Sequence, residues 1–310
     1  MGTDARLAAE CLRRGGLAAL PTETVYGLGA DATNAVAVSR IFTVKGRPAD
    51  HPLIVHLADA RQVRSWARQM PAYAQLLAAA FWPGPLTLIL PKLPEVLDIV
   101  TGGQDTVGLR VPAHPLMHEV LEHLGRGVAA PSANRFGKVS PTAIEHVLAD
   151  IGNLLGTDDY LLDGGPCAVG VESTIVDCTG SSPRLLRTGA VSVEMIEQTT
   201  GLAVLGADGR IRASGTLASH YAPTATVHIV EAEDVNSASV GAGLIASAAV
   251  RTPAGMVRLL EAADHGEYAR NLYAALRRSD ELGLRDVIAV LPEDAGLGSA
   301  IRDRLQRAAH

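Results

Sequence analysis

Pro21-Thr-Glu-Thr-Val-Tyr-Gly-Leu-Gly29 follows the apolar run 17–20 and predicts a strand that ends in a turn rich in hydroxyls and glycine. A second stretch, Lys45-Gly-Arg-Pro48, places two positive charges on a proline-stopped turn before the next apolar strand, 53–57. Hydroxyls and backbone N–H groups that face a cationic pair suit a phosphate and a small polar molecule. Neither stretch is a common nucleotide signature, so their combination is more informative than a lone glycine-rich loop.

The composition is that of a globular protein with room for two domains. The 310 residues are 47% hydrophobic and 19% charged. The net charge of −6 argues against a broad nucleic-acid-binding surface, although it allows a local basic pocket. Cys11, Cys167 and Cys178 have no C-x-x-C spacing, which argues against a disulfide framework or a structural zinc site and fits a reducing compartment.

The sequence also predicts where the protein works. The segment Leu7–Leu12 is interrupted by Glu10 and followed by two arginines, so it does not resemble a signal peptide. No apolar stretch reaches the roughly 18 residues that a membrane span needs. We therefore expect a soluble, cytoplasmic protein with no membrane partner.

Periodicity predicts an α/β protein. Apolar runs alternate with helical patterns, but some strands are close enough in sequence to pair antiparallel, which favours a mixed sheet. One helix is expected to begin at Pro71, with Tyr73, Leu76, Leu77 and Phe81 facing inward. Further helices are expected over 4–14, 36–45, 59–66 and 116–124 and from 192, and strands over 86–90, 106–111, 127–130, 160–162, 173–176 and 184–186.

Small and polar residues near 202–224 predict a boundary. We expect a larger domain over 1–203, a linker over 204–224 and a smaller α/β domain over 225–310. Strands over 226–230, 243–246, 255–260 and 286–291 give the smaller domain the pattern of an open, Rossmann-like sheet, but it lacks G-x-G-x-x-G, so no dinucleotide is assigned.

The chain contains no G-x-x-x-x-G-K-[ST] loop, so any triphosphate would have to be held by side-chain charge. The candidates are Lys45, Arg47, Arg110 and Arg187. Two further stretches, Ala130-Pro-Ser-Ala-Asn134 at a strand end and Gly170-Val-Glu-Ser-Thr-Ile-Val176, could line the same site.

Each of these features also has an ordinary explanation. A single cation is most often a solvated loop charge, and Pro, Ser and Asn are common turn residues. His114 and His118 are four residues apart, but the H-E-x-x-H pattern is missing, so metal binding there is disfavoured. Cys167 has no evident His base nearby in sequence, so a buried structural cysteine is favoured over a nucleophile.

Taken together, seven stretches resemble the threonylcarbamoyl-AMP synthase family, whose catalytic domain has the YrdC-like fold. The resemblance covers about residues 5–200 in order. Ser219-His-Tyr-Ala-Pro223 and the smaller domain resemble the long form of the family, in which a linker crosses the mouth of the active site. The seven stretches are 21–29, 45–56, 82–87, 106–112, 130–134, 170–175 and 185–189.

The resemblance implies an enzyme, a nucleotidyltransferase, that condenses L-threonine, bicarbonate or CO₂, and ATP to threonylcarbamoyl-AMP and pyrophosphate. A separate transferase would then modify tRNA. The implied threonine site is Thr22, His56, Arg110, Ala130 and Ser173. The implied ATP contacts are Lys45, His51, Thr106, Ser132, Ser140, Arg187 and Tyr221. Lys45 and Arg47 would act on the phosphates, and Mg²⁺ would arrive with ATP rather than in a protein metal site. The small residues of the linker suit a lid.

The sequence departs from the family at two places. Position 51 is His where relatives usually have Asn, and 214–219 lacks the usual Gly-Met pair and basic residue. The sequence therefore leaves undecided whether these two places contact the nucleotide as in the relatives.

The sequence leaves three other functions open. They are a carbamoyl-adenylate-forming carbamoyltransferase, a non-catalytic RNA-binding module, and a purely structural role for the smaller domain. Selectivity for threonine over serine is open as well, since one methyl group is worth only about 1–3 kcal/mol.

Overall fold

The computed structural model describes residues 1–215, 221–237 and 240–310. The first unit contains, in chain order, α1 (Ala5–Arg13), β1 (Ala18–Leu20), β2 (Gly27–Asp31), α2 (Ala35–Lys45), β3 (Ile54–His56), α3 (Ala72–Phe81), β4 (Leu86–Pro91), α4 (Asp98–Thr101), β5 (Thr106–Arg110), α5 (Pro115–Leu124), β6 (Val128–Ala129), α6 (Ile144–Ile151), β7 (Tyr160–Leu161), β8 (Thr174–Asp177), β9 (Arg184–Arg187) and α7 (Val193–Thr200). The second unit contains β10 (Thr226–Val230), β11 (Gly243–Ser247), β12 (Val257–Ala262), α8 (His265–Glu281), β13 (Asp286–Val290) and α9 (Leu297–Ala308). Short 3-10 helices lie at Ala60–Ser65, Gly152–Leu154 and Ala232–Ser237.

The strands of the first unit form one mixed sheet in the order β7-β1-β2-β6-β3-β5-β4-β8-β9. The pairs β3·β5 and β4·β8 are parallel, whereas β4·β5 and β3·β6 are antiparallel. The ends of β3 and β5 therefore lie at the same edge of the sheet as the start of β8. The predicted mixed α/β sheet is confirmed.

Helix α2 fixes where the first cationic turn lies. The Asn34 side chain accepts N–H groups from Val36 and Ala37 and caps the start of the helix. The helix ends at Gly46, whose φ of +63° is a conformation that glycine adopts without a Cβ clash. Lys45 is therefore the last helical residue, and Arg47 follows directly after the turn.

The second unit is a parallel sheet in the order β10-β13-β11-β12, with α8 and α9 packed on it. Its apolar core does not stop at the unit's own residues. Ile245, Leu272 and Val287 belong to the same buried cluster as Val25 of the first glycine-rich stretch and Val171 of the stretch before β8. The two units thus share one continuous apolar contact.

Several sequence predictions were wrong in detail. Gly27–Asp31 is the strand β2, not part of the turn, because Gly27 and Gly29 permit close packing against neighbouring strands. The short helix α4 and helix α6 were not predicted. Leu76, expected to face inward, is 50% exposed, since α3 buries the face that carries Tyr73 and Leu77. The boundaries at 203 and 224 stay predictions, although Leu205 still pairs with β9 through Leu185.

Gly170 tests how tightly the units pack. It has a φ of +84°, and a Cβ there would lie 2.4 Å from the Cα of Arg270 in α8. Gly201 has a φ of +69° with open space around it. We expect Gly201→Ala to cost about 1–2 kcal/mol of unfolding free energy from backbone strain. Gly170→Ala should cost about 1–3 kcal/mol more, because α8 has to move. Urea unfolding of both variants measures the difference, and equal losses would contradict this packing.

Candidate active site

A cavity that is partly open to solvent lies where β3 and β5 end. His56 and Arg110 are paired across these parallel strands, so both side chains reach the same edge, where α/β sheets commonly bind ligands. Nine of the predicted site residues line this cavity: Thr22, Arg47, His56, Arg110, Ala130, Ser132, Ser173, Arg187 and Tyr221. The folded chain therefore brings most of the predicted site together, across 199 positions of sequence (221 − 22).

The glycine-rich stretch is folded by the Thr22 hydroxyl. It donates to the Val25 carbonyl at 2.6 Å and accepts the N–H groups of Thr24 and Val25 at 3.1 and 3.2 Å. Tyr26 holds the far end of the turn, because its hydroxyl donates to the Gly165 carbonyl at 2.8 Å. A hydroxyl that closes a turn in this way also leaves the backbone rigid beside the cavity.

Arg110 and His56 form one subsite, called the floor of the cavity, and Arg110 is almost completely buried. Its Nε donates to the Gly84 carbonyl, and its two terminal nitrogens contact the Thr24 hydroxyl at 3.0 Å and the Glu23 carboxylate at 2.8 Å. A guanidinium carries five N–H groups, so two remain after these three contacts among the described residues. A planar fork with free N–H groups suits a ligand carboxylate.

His56, which faces Arg110, is held in its neutral form. Burial and the adjacent Arg110 charge lower the pKa of His56 to about 3. Its Nδ1 is buried and has no hydrogen-bond partner within the described part of the chain. A neutral imidazole with an unused nitrogen can hydrogen-bond a hydroxyl or an amine without adding charge.

A second group of cations, Arg47 and Arg187 with Lys45 behind them, is called the mouth of the cavity. Lys45 Nζ donates to the carbonyls of Ser132 and Asn134, and Arg47 donates to the Pro52 carbonyl and to Ser214 Oγ. Their acceptors are neutral, so the positive charge is not cancelled by them.

Arg187 continues this cationic surface. It donates to the Ser173 carbonyl at 3.0 Å, to Ser173 Oγ at 3.1 Å and to the Ser214 carbonyl at 2.8 Å. Burial and the nearby Arg187 charge lower the pKa of Arg47 to about 10, and burial and Arg47 lower the pKa of Lys45. Cations that repel one another beside neutral acceptors form a suitable site for a polyanion such as a triphosphate.

Four predicted ATP residues do not line the cavity. Lys45 lies behind it, through its contact with the Ser132 carbonyl. His51 packs edge-on against Phe136, and Thr106 lines a separate small cavity with Gln104. Ser140 is fully buried, and its hydroxyl donates to Glu172 Oε1 at 2.6 Å. Their direct contact with a nucleotide stays a prediction.

The structure describes only part of the predicted linker contact. Tyr221 lines the cavity, whereas the preceding stretch, including His220, lies outside the described residues. Tyr221 has a left-handed φ of 63° and stacks on Tyr273 of α8 with ring centroids 5.5 Å apart.

Sequence reasoning missed several site residues. Glu23 and Thr24 belong to the first stretch, and the sequence pattern assigns them no role, but both contact Arg110. Glu172 precedes Ser173 and is likewise not predicted as a site residue, but it lines the cavity. Its isolated position among hydroxyls and apolar residues was the available signal, because a charged residue in a buried stretch needs a partner.

The doubtful candidates have simple surroundings. The Cys167 thiol is buried, and burial raises its pKa to about 12, which keeps it protonated and unreactive. His118 lies beside Glu122 on the exposed face of α5. Over 1–215, 221–237 and 240–310, no group of three or more His, Cys, Asp or Glu residues could hold a metal ion. Over the same ranges, no helix is long and apolar enough to cross a membrane.

The first unit has the fold and the cavity of a YrdC-like domain, and the second unit is a C-terminal domain that follows it. A family model described as "Telomere recombination" matches residues 10–189. A second model, described as "Threonylcarbamoyl-AMP synthase, C-terminal domain", matches residues 191–310. The chain belongs to the threonylcarbamoyl-AMP synthase family.

Individual relatives agree with this assignment. The threonylcarbamoyl-AMP synthase of Pyrococcus abyssi is 42% identical, over 98% of this chain and 93% of the relative. That of Bacillus subtilis is 40% identical, over 97% and 92%. The crystal structure of P. abyssi Sua5 complexed with L-threonine has a TM-score of 0.89 at 40% identity and covers 98% of this chain and 94% of that one.

The neutral His56 makes stability depend on pH. Its pKa is lower in the folded than in the unfolded protein, so the unfolded state binds more protons between about pH 3 and the ordinary pKa near 6.5. Stability therefore falls as pH drops through this window. Between pH 7 and pH 5, we expect the free energy of unfolding of His56→Gln to fall by about 2 kcal/mol less than that of the unsubstituted protein. Urea unfolding at both pH values measures this, and parallel losses would contradict the buried neutral state.

Proposed function

We propose that this protein forms L-threonylcarbamoyl-AMP from L-threonine, bicarbonate or CO₂, and ATP, with release of pyrophosphate. The observation that carries the proposal is the division of one cavity into two charge environments. Its floor offers the Arg110 fork beside the neutral His56, and its mouth carries Arg47 and Arg187. Family membership and the threonine complex of the P. abyssi protein support the same assignment.

The floor of the cavity suits the amino acid. Arg110 would pair with the threonine carboxylate through its remaining N–H groups, and His56 would accept or donate a single neutral hydrogen bond. Ser173 Oγ lies 2.8 Å from the Thr87 hydroxyl and accepts from Arg187, so it joins the floor to the cationic mouth. Thr22 keeps its turn in shape, and Ala130 closes one wall.

The mouth suits the nucleotide and needs no protein nucleophile. Bicarbonate adds to the threonine amine with loss of water, and an oxygen of the resulting carbamate attacks the α-phosphorus. The bond to the β-phosphate oxygen breaks, and pyrophosphate leaves. Lys45, Arg47 and Arg187 would align the phosphates and neutralise the charge that develops on them. This makes the enzyme a nucleotidyltransferase.

The proposed cofactor is Mg²⁺ that arrives with ATP and is held mainly by the phosphates, where it would supply further charge neutralisation. Among the described residues that line the cavity, the only carboxylate is that of Glu172, and its oxygens are taken by Ser140, Tyr273 and Arg304, which fits a metal ion held by the phosphates. The product would pass to a separate transferase that modifies tRNA, and any tRNA contact of this chain would be secondary, given its net charge of −6. Three buried free thiols, Cys11, Cys167 and Cys178, favour work in the reducing cytoplasm.

Pyrophosphate release tests the proposed reaction. We expect release from MgATP that requires both L-threonine and bicarbonate. Arg110→Ala should lower kcat/KM by about a hundredfold or more, because a bidentate contact to the carboxylate is lost. Folding of the variant is checked by thermal unfolding. Release that ignores threonine, or that depends on carbamoyl phosphate instead, would overturn the proposal in favour of the carbamoyltransferase.

The cationic mouth has its own test. Arg47→Gln should raise the KM for ATP about tenfold and leave the KM for threonine nearly unchanged. Arg47 donates to the Pro52 carbonyl and to Ser214 Oγ in the mouth and does not contact Arg110. Arg61→Gln is the control, since Arg61 is exposed and paired with Asp59. A rise in the threonine KM alone would assign Arg47 to the other subsite.

A further inference from the structure

Three residues expected at the nucleotide subsite, Ser140, Arg187 and Tyr221, are connected directly or through Arg304 to the buried carboxylate of Glu172. Ser140 donates to Glu172 Oε1 at 2.6 Å. Arg187 is followed by Thr188, whose carbonyl accepts from Arg304 at 2.9 Å. Tyr221 lies under the Arg304 guanidinium, 5.2 Å from ring centroid to Cζ.

Both partners that complete this cluster come from the second unit. Arg304 of α9 donates its Nε to Glu172 Oε2 at 2.8 Å, and Tyr273 of α8 donates its hydroxyl to the same oxygen at 2.7 Å. Arg304 and Tyr273 are both fully buried, and Glu172 nearly so. Burial alone would raise the pKa of Glu172, but the Arg304 charge, with Arg187 and the hydrogen bonds, lowers it to about 2. Glu172 is therefore a fixed anion.

The cluster also holds a strained backbone in place. Tyr221 has a left-handed φ of 63°, a conformation that costs a non-glycine residue free energy and persists only where its surroundings enforce it. Its ring contacts both Tyr273 and Arg304. The backbone of the first unit is also closely packed beside Glu172, because a Cβ on Gly189 would lie 2.7 Å from the Glu172 carbonyl.

We propose that Arg304 and Tyr273 are positioning residues of the second unit, which hold Glu172, Arg187 and Tyr221 in the arrangement that binds the ATP phosphates. The inference rests on the nucleotide subsite of the proposed function. It gives the second unit a part in the reaction without any contact between that unit's own residues and substrate. The hydrogen bonds and the ion pair of Arg110 involve neither Arg304 nor Tyr273, so we expect threonine binding to depend on this cluster less than ATP binding does.

Two conservative variants test the proposal in the full chain. Tyr273→Phe keeps the ring that stacks on Tyr221 and removes one hydrogen bond to Glu172. Arg304→Lys keeps the charge and loses the fork that reaches both Glu172 and Thr188. The matched control is Arg270→Gln, because Arg270 also lies on α8 and donates across the same interface, to the Ala168 carbonyl at 3.1 Å, away from the cluster.

The readouts are KM values from threonine-dependent pyrophosphate release, and calorimetric dissociation constants for a non-hydrolysable ATP analogue and for L-threonine. We expect both cluster variants to raise the ATP KM and the analogue dissociation constant about fivefold to twentyfold, and to change threonine binding less than twofold. Arg270→Gln should change neither by more than twofold. Thermal unfolding confirms that each variant is folded.

The outcomes separate the two proposals. Equal effects on ATP and threonine, no effect on either, or the same ATP effect in Arg270→Gln would overturn the positioning role and leave the proposed reaction standing. An unsubstituted protein that binds the analogue but shows no threonine-dependent release would overturn the reaction, and the dissociation constants would still decide the positioning role. An unsubstituted protein that does not bind the analogue would overturn both.

Discussion

The carboxylate of Glu172 is buried between two units of the chain, and each of them has to supply part of its stabilisation. Ser140 contributes from the first unit, and Tyr273 and Arg304 contribute from the second. Removing one partner from a buried ion pair typically costs about 3–5 kcal/mol, because an unmatched charge remains. The relative position of α8, α9 and the strand β8 is therefore fixed by electrostatics as well as by the shared apolar core.

Charge is distributed differently on the two sides of this cluster. Glu172 is neutralised within the protein, whereas Lys45, Arg47 and Arg187 donate to carbonyls and hydroxyls and repel one another. The protein bears the desolvation cost of these cations in its free state, and a polyanion relieves the repulsion on binding. Such preorganised charge would stabilise the proposed nucleotide transfer without any rearrangement during the reaction.

Local sequence patterns predicted the fold class and the cationic part of the cavity, because strand ends, a proline-stopped turn and clustered hydroxyls are visible in short windows. They indicated Arg47, Arg110 and Arg187, whereas the family resemblance supplied the other predicted residues that line the cavity. The strand β2 was missed because glycine normally indicates a turn, yet here it allows close strand packing. The Glu172–Arg304 pair is separated by 132 residues, so no local pattern reveals it. Only the folded chain brings these two charges together.

The apolar cluster that contains Val25 has a consequence for modularity. Val25 accepts the hydroxyl of Thr22 through its carbonyl, while its side chain belongs to the core of the second unit. A chimera that joins this first unit to a foreign C-terminal partner would thus keep the glycine-rich stretch but lose the apolar surface against which Val25 packs. A part of this protein that is to be transferred intact must therefore include more than the domain that carries the signature residues.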